Sequence, residues 1–193
     1  MFELFIPFCL LFLFILFLAI IWRINARKYI TSGTVASAYD AWTQDKLLER
    51  LWGEHIHLGF YPPGNKNIDF RKAKVQFVHE LVKWSDLDKL PKGSRILDVG
   101  CGIGGSSRIL AKYYGFNVTG ITISPAQVKR ARELTPSGLN CNFQVMDALD
   151  LKFEDGSFDA VWSVEAGAHM NDKTRFADEM LRTLRPGGYL ALA

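Results

Sequence analysis

Cysteine is scarce in this chain of 193 residues: Cys9, Cys101 and Cys141 are odd in number and stand at no metal-ligand spacing. That excludes a disulfide scaffold, gives no metal site, and fits a reducing compartment. Excess charge of one sign is also lacking. Lys and Arg total 23 against 20 for Asp and Glu, a net charge of +3, too little to draw a nucleic acid, so no nucleic-acid partner is expected. Internal repeats and low-complexity segments are absent from residues 31–92 as well.

One absence points somewhere. Residues 4–22, "LFIPFCLLFLFILFLAIIW", contain no charged side chain, and a helix of that length reaches about 29 Å, close to the ~30 Å hydrocarbon core of a bilayer. A cleavable secretory signal has a basic start, a shorter apolar core and a small-residue cleavage site close behind it. Here Glu3 is the only charge before the run and no such site follows closely, so the expectation is a retained transmembrane anchor over residues 1–30. Arg23, Arg27 and Lys28 follow the run, and basic flanks prefer the cytoplasmic side, which would leave the rest of the chain facing the cytoplasm.

Beyond the anchor the chain divides at about residue 92. Residues 31–92 are rich in aromatics, with a helix expected from Asp69 in which Phe70, Ala73, Phe77, Leu81 and Trp84 recur at spacings of three and four and so define one apolar face. From residue 93 to 193 short apolar strands alternate with helices. The strands are "RILDVG", "FNVTGITI", "CNFQVM", "FDAVWSV" and "YLALA", and between them lie "SSRILAKYYG", "SPAQVKRAREL" and "NDKTRFADEMLRTLRPGG". Ser124 reads as an N-cap followed by Pro125 in the first turn, and the last helix reads from Asp172 to Pro186. Such alternation predicts an α/β fold with a doubly wound parallel sheet of Rossmann-like type.

In that architecture a ligand lies beyond the carboxyl ends of the strands, at the turn after strand one. There, four glycines occupy six positions, Gly100, Gly102, Gly104 and Gly105, and backbone without β-carbons lets a ligand come close. The spacing from Gly100 to Gly102 to Gly105 also satisfies the dinucleotide fingerprint, which expects a carboxylate about 20 residues on for a ribose hydroxyl. Strand two ends instead at Thr122, Ile123 and Ser124. Asp98 stands two residues before the first glycine, where its charge would repel a pyrophosphate and attract a sulfonium or ammonium. Charge thus favours S-adenosyl-L-methionine over a nicotinamide dinucleotide.

The segments "ILDVGCGIGGSSRILA", "GITISPAQVKRA", "DGSFDAVWSVEAGAHM" and "LRTLRPGGYLALA" together resemble the class I S-adenosylmethionine-dependent methyltransferases. With "WGEHIHLGFYPPG" and "SVEAGAHMNDK" the resemblance narrows to the tocopherol-pathway group, over about residues 36–193. It implies that Asp98, Gly100, Gly102 and Gly104 line the methionine end of the donor, that Thr122, Ile123 and Ser124 meet its ribose, and that Asp147 and Ala148 read its adenine. Thr122 departs from the acidic residue of the wider superfamily and reads equally as a strand-favouring side chain. A helical cap carrying Tyr39, Trp52, Phe60 and Tyr61 is implied over the donor. The expected acceptor is a prenylated quinol lipid of the 2-methyl-6-phytylbenzoquinol type, methylated at carbon, which suits a membrane partner.

Methylation at an aromatic carbon wants a base or acceptor near the end of strand four. Glu165 and His169 are the candidate catalytic residues, although His169 reads equally as a packing residue of the following helix. His55 and His57, by alternation, place one ring inward and one outward, and each is more simply a structural histidine. Methyltransferases of this class have seven strands, whereas the chain ends within strand five, so the expected core is incomplete at its C-terminus with an exposed edge. Two other readings stay open: methylation of another lipid acceptor such as tocopherol or a sterol, and a membrane-tethered binder of S-adenosylmethionine without turnover. Oligomeric state is not readable.

Overall fold

Five parallel strands form one sheet in the computed structural model, which describes residues 13–20, 32–64 and 67–193. They are β1 (Arg95–Val99), β2 (Asn117–Thr122), β3 (Cys141–Val145), β4 (Phe158–Ser163) and β5 (Leu184–Leu192), in the order β3-β2-β1-β4-β5. The chain first steps outward from β1 to β2 and β3, then returns to the other side of β1 for β4 and β5. The reversal falls at β1, so the turn after it opens between diverging connections, as the alternation predicted.

The three central strands β1, β2 and β4 are buried on both faces, and their side chains sort into two cores by period two. Ile96, Val118, Ala160 and Trp162 share a cluster with Leu110 and with Val78, Leu81 and Val82. Leu97, Val99, Ile121 and Val161 share the other with Phe176 and Met180. The covering helices are α1 (Ser32–Gln44), α2 (Leu47–Trp52), α3 (Phe70–Trp84), α4 (Gly105–Tyr114), α5 (Pro125–Leu134) and α6 (Lys173–Thr183). Local signals start three of them as read: Asp69 caps α3 through the amides of Arg71 and Lys72, Ser124 caps α5, and Asp172 caps α6.

Three expectations are corrected. The buried stripe of α3 is Ala73, Lys74, Val78, Leu81 and Val82, rotated from the one expected, while Phe70 and Trp84 are 39% and 76% exposed. The rotation follows from Lys74, whose ammonium is drawn inward by the carbonyls of His55 and Trp52. Helix α3 packs into the first core, and α1, α2 and the loop behind them are termed the cap. Helix α6 ends at Thr183, before Pro186, and β5 begins at Leu184. The segment containing Pro186, Gly187 and Gly188 is a bulge: Leu184 pairs with Phe158, and the next partners are Tyr189 and Ala160.

Of the long apolar run, residues 13–20 are described; they are helical and exposed. Among the described residues no helix is long and apolar enough to cross a membrane. The remainder of the expected anchor and its basic flank lie outside the described residues.

Long-range polar ties dock the cap on the core. Asp40 of α1 accepts from the Ser124 hydroxyl and from the Ala126 amide at the start of α5, where the helix dipole favours a carboxylate. Glu49 of α2 meets Arg130 with both oxygens, at 2.8 and 2.6 Å, and the Arg130 guanidinium holds its carboxyl below the usual range. Glu54 meets Arg108 at 2.5 Å. A charge-assisted bond of this kind contributes about 1.5–3 kcal/mol, so Asp40→Ala should raise amide exchange over Ser32–Gln44 by tenfold or more while β1 and β4 keep their protection. Unchanged exchange across α1 would contradict this docking.

Candidate active site

A cavity of about 570 Å³ lies beyond the carboxyl ends of β1, β2 and β4, between the sheet and the cap. The turn after β1 forms its floor. Gly100 lines it at φ +80°, and a β-carbon there would fall 2.4 Å from that of Ala166, so only glycine fits. Gly102, at φ +56°, also lines the cavity, and the place its β-carbon would take has no atom within 4 Å; that is room for a ligand against bare main chain. Gly104 does not line it. It is the N-cap of α4, and a β-carbon there would meet the Phe143 ring at 2.6 Å and Arg108 at 2.8 Å.

Asp98 lies on the same wall with 2% of its surface exposed. Burial pushes its carboxyl up to about 7, against the opposing effect of the Ser107 hydroxyl, which donates to it at 2.5 Å. No basic side chain among the described residues pairs with it. A buried carboxylate in that state is costly until something cationic arrives, which makes the site fit a positively charged ligand and disfavours a pyrophosphate. Beside it in register on β4 stands Trp162, whose Nε1 is the one buried side-chain nitrogen or oxygen among the described residues without a partner.

Thr122 and Ile123 line the cavity at the end of β2, and Asp147 and Ala148 line it after β3. The Thr122 hydroxyl donates to Gln127 at 2.7 Å and accepts from the Ser124 amide, so it shapes the turn. Ser124 does not reach the cavity: its hydroxyl caps α5 and binds Asp40. Asp147 turns one oxygen to the Leu149 amide at 2.9 Å. Gln127, which sequence reasoning missed, is buried and lines the cavity beside Thr122; its position two residues into a helix gave no signal.

Glu165 and His169 both line the cavity after β4, and each is tied to the cap. Glu165 stands in the left-handed region at φ +54° and accepts from the Leu58 amide at 2.9 Å. His169 Nε2 lies 2.8 Å from the Tyr39 hydroxyl, and burial, with Lys173 nearby, lowers its pKa. His55 and His57 are both buried, 9% and 8% exposed, with rings bonded to each other at 3.1 Å. The expected inward and outward alternation fails there because residues 53–61 form no strand, so period two does not apply. Among the described residues no cluster of His, Cys, Asp and Glu could hold a metal ion.

Strand order, glycine turn and carboxylate-walled cavity define a Rossmann-like core of the methyltransferase class. A family model described as a methyltransferase domain matches residues 97–192. A 2-methyl-6-phytyl-1,4-hydroquinone methyltransferase of Synechocystis sp. is 61% identical over 175 residues, covering 90% of this chain and 54% of its own. The chloroplastic tocopherol O-methyltransferase of Arabidopsis thaliana is 42% identical over 156 residues, covering 76% of this chain and 45% of its own. The chain therefore belongs to the class I S-adenosylmethionine-dependent methyltransferases, in their tocopherol-pathway group, and spans about half the length of these relatives.

Among solved structures, the [4+2]-cyclase SpnF matches with a TM-score of 0.75 at 31% identity, over 84% of this chain and 59% of that one. A geranyl diphosphate methyltransferase in complex with geranyl diphosphate and sinefungin matches at 0.67 and 26%, over 82% of this chain and 63% of that one. A cyclase and a methyltransferase on one fold show that the chemistry has to be argued from the site.

Below about pH 7 the empty pocket holds a proton on Asp98 that a bound cation would expel. Donor affinity should therefore rise with pH up to about 7 and level off above it. Calorimetric titrations with S-adenosylmethionine in buffers of different ionisation enthalpy should show proton release in the wild type and none in Asp98→Asn. Asp98→Asn should also weaken binding more than Thr122→Ala, whose hydroxyl serves the turn; the reverse order would refute this assignment.

Proposed function

We propose that the chain transfers a methyl group from S-adenosylmethionine to a ring carbon of a prenylated benzoquinol of the 2-methyl-6-phytyl type. The observation that carries the reading is the buried Asp98 carboxylate, without a cationic partner among the described residues, beside the open backbone at Gly102. The acceptor is taken from the 61% identical relative and its printed activity.

S-adenosylmethionine supplies an electrophilic methyl group on a sulfonium. The protein's task is to bind, align and exclude water. Asp98 would take the cationic amino end, Gly100 and Gly102 would let it lie against main chain, and Asp147 with Ala148 would face the adenine. The uncapped start of α4, opening to the cavity at Gly105 and Ser106, offers the positive end of a helix dipole to a carboxylate. Gln127 beside Thr122 stands where a ribose hydroxyl would need a partner. Glu165 and His169 would then lie on the acceptor side, held by Leu58 and Tyr39.

An apolar tail needs an apolar environment, and the uncharged run over residues 4–22 would hold the enzyme at the membrane where such a lipid resides, with the core on the cytoplasmic side. The exposed apolar helix over residues 13–20 supports that reading. The 42% identity to a tocopherol O-methyltransferase supports a second one, transfer to a ring oxygen of tocopherol.

One experiment separates them. Methyl-labelled S-adenosylmethionine is given to the full chain in detergent with 2-methyl-6-phytylbenzoquinol, tocopherol and a sterol in parallel. Label on a ring carbon of the quinol is expected. Label confined to an oxygen, or appearing only on tocopherol or the sterol, would refute the carbon-transfer reading.

A further inference from the structure

The cap contributes to the cavity wall a pair of buried histidines for which the proposed methyl transfer has so far had no use. Their proton positions follow from their partners. His57 Nδ1 lies 2.7 Å from the carbonyl of Leu58, and a carbonyl only accepts, so His57 carries its proton on Nδ1 and presents a lone pair at Nε2. His55 Nδ1 lies 3.1 Å from that Nε2 and must therefore be the donor. Its own proton is thus on Nδ1, and its Nε2 is left as an acceptor.

That Nε2 has no partner among the described residues, and the ring lines the cavity. It is not sealed off, since the one buried and unpartnered side-chain nitrogen or oxygen among the described residues is Trp162 Nε1. The ring is also held from several sides. Lys74 Nζ binds the His55 carbonyl at 2.7 Å, and Glu165 Oε1 takes the Leu58 amide at 2.9 Å. Gly105 lets the ring lie against the start of α4, for a β-carbon there would come within 2.8 Å of His55 Cε1.

The surroundings select the ligand group. Burial lowers the His55 pKa to about 3, with His57, Arg108 and Lys74 adding to the effect, so the ring stays neutral. Arg108 is paired with Glu54 and Lys74 lies in the field of Glu165, so this corner carries no excess negative charge to draw the ammonium or sulfonium that Asp98 attracts. What fits an uncharged acceptor there is a neutral O–H, and a bond to that oxygen raises its electron density without moving the proton.

We propose that His55 Nε2 accepts a hydrogen bond from a ring hydroxyl of the methyl acceptor, and that His57 is a positioning residue that fixes the His55 tautomer. This rests on the quinol reading above. An acceptor with that hydroxyl blocked would leave a buried lone pair unsatisfied and would be rejected.

The test has two arms. In the full chain labelled with 15N-histidine, long-range proton–nitrogen spectra at neutral pH should show both rings protonated at Nδ1, with no titration of His55 between about pH 5 and 8. His57→Phe should let an Nε2-protonated form of His55 appear, and His57→Gln, which keeps an acceptor, should suppress it. An Nε2-protonated His55 in the wild type, or a midpoint near about 6.5, would overturn the proposal without reference to activity.

In the second arm, kinetics are measured with the quinol and its monomethyl ether, alongside calorimetric binding of S-adenosylhomocysteine. His55→Phe should raise KM for the quinol about tenfold, the loss of roughly one hydrogen bond, and erase the preference for quinol over ether. His55→Gln should restore part of both. S-adenosylhomocysteine affinity should stay within about twofold, because Asp98 and the glycine turn are untouched. Weakened S-adenosylhomocysteine binding with an unchanged quinol KM would assign Nε2 to the donor and overturn the proposal. Failure of the methyl-transfer reading shows differently, as a wild-type chain that binds no S-adenosylhomocysteine.

Discussion

A carboxylate walled into protein with no counter-ion among the described residues is the constraint around which this structure is arranged. Asp98 sits on the central strand at the point where the sheet reverses, and burial alone pushes its carboxyl up to about 7. Ser107 offers one hydrogen bond, a partial compensation. The energetic cost of keeping such a group dry is met when a cationic ligand arrives. The neighbouring main chain is free of side chains at the place where that ligand would lie, since Gly102 faces open space. Sheet order, turn and charge thus converge on one small region.

The cap is organised around the same region by polar ties rather than by a shared apolar core. Asp40 reaches the start of α5, Glu49 grips Arg130, and Glu54 grips Arg108. On the other side of the cavity Tyr39 meets His169, and Leu58 meets Glu165. Every one of these joins residues far apart in the chain, so the cavity closes only when cap and sheet are both in place. Packing by hydrogen bonds and ion pairs of modest individual strength also suits an element that must admit a ligand, because such contacts open at less cost than a core.

What the sequence made legible and what it hid divide along physical lines. Period-two burial, glycine in the first turn, and short-range caps at Asp69, Ser124 and Asp172 are local, so strands, helices and the site's location could be read before the fold was known. The face of α3 could not, because its register is set by Lys74 reaching carbonyls some twenty residues earlier in the chain. The pairing of His55 with His57 looked like strand alternation until the segment proved irregular. Thr122 and Ser124 stand at the cavity end of β2 in sequence, yet spend their hydroxyls on the turn and the cap. Gln127 and Trp162 entered the site from interior positions of a helix and a strand, where spacing marks them only as core.

The account turns on the sign of the charge that the glycine turn accepts. Equilibrium dialysis of the intact chain against S-adenosylmethionine and against a nicotinamide dinucleotide tests it most directly. Uptake of the sulfonium compound alone is the result that a lone buried carboxylate requires. Retention of the dinucleotide, with none of the sulfonium compound, would mean that Asp98 does not govern the pocket.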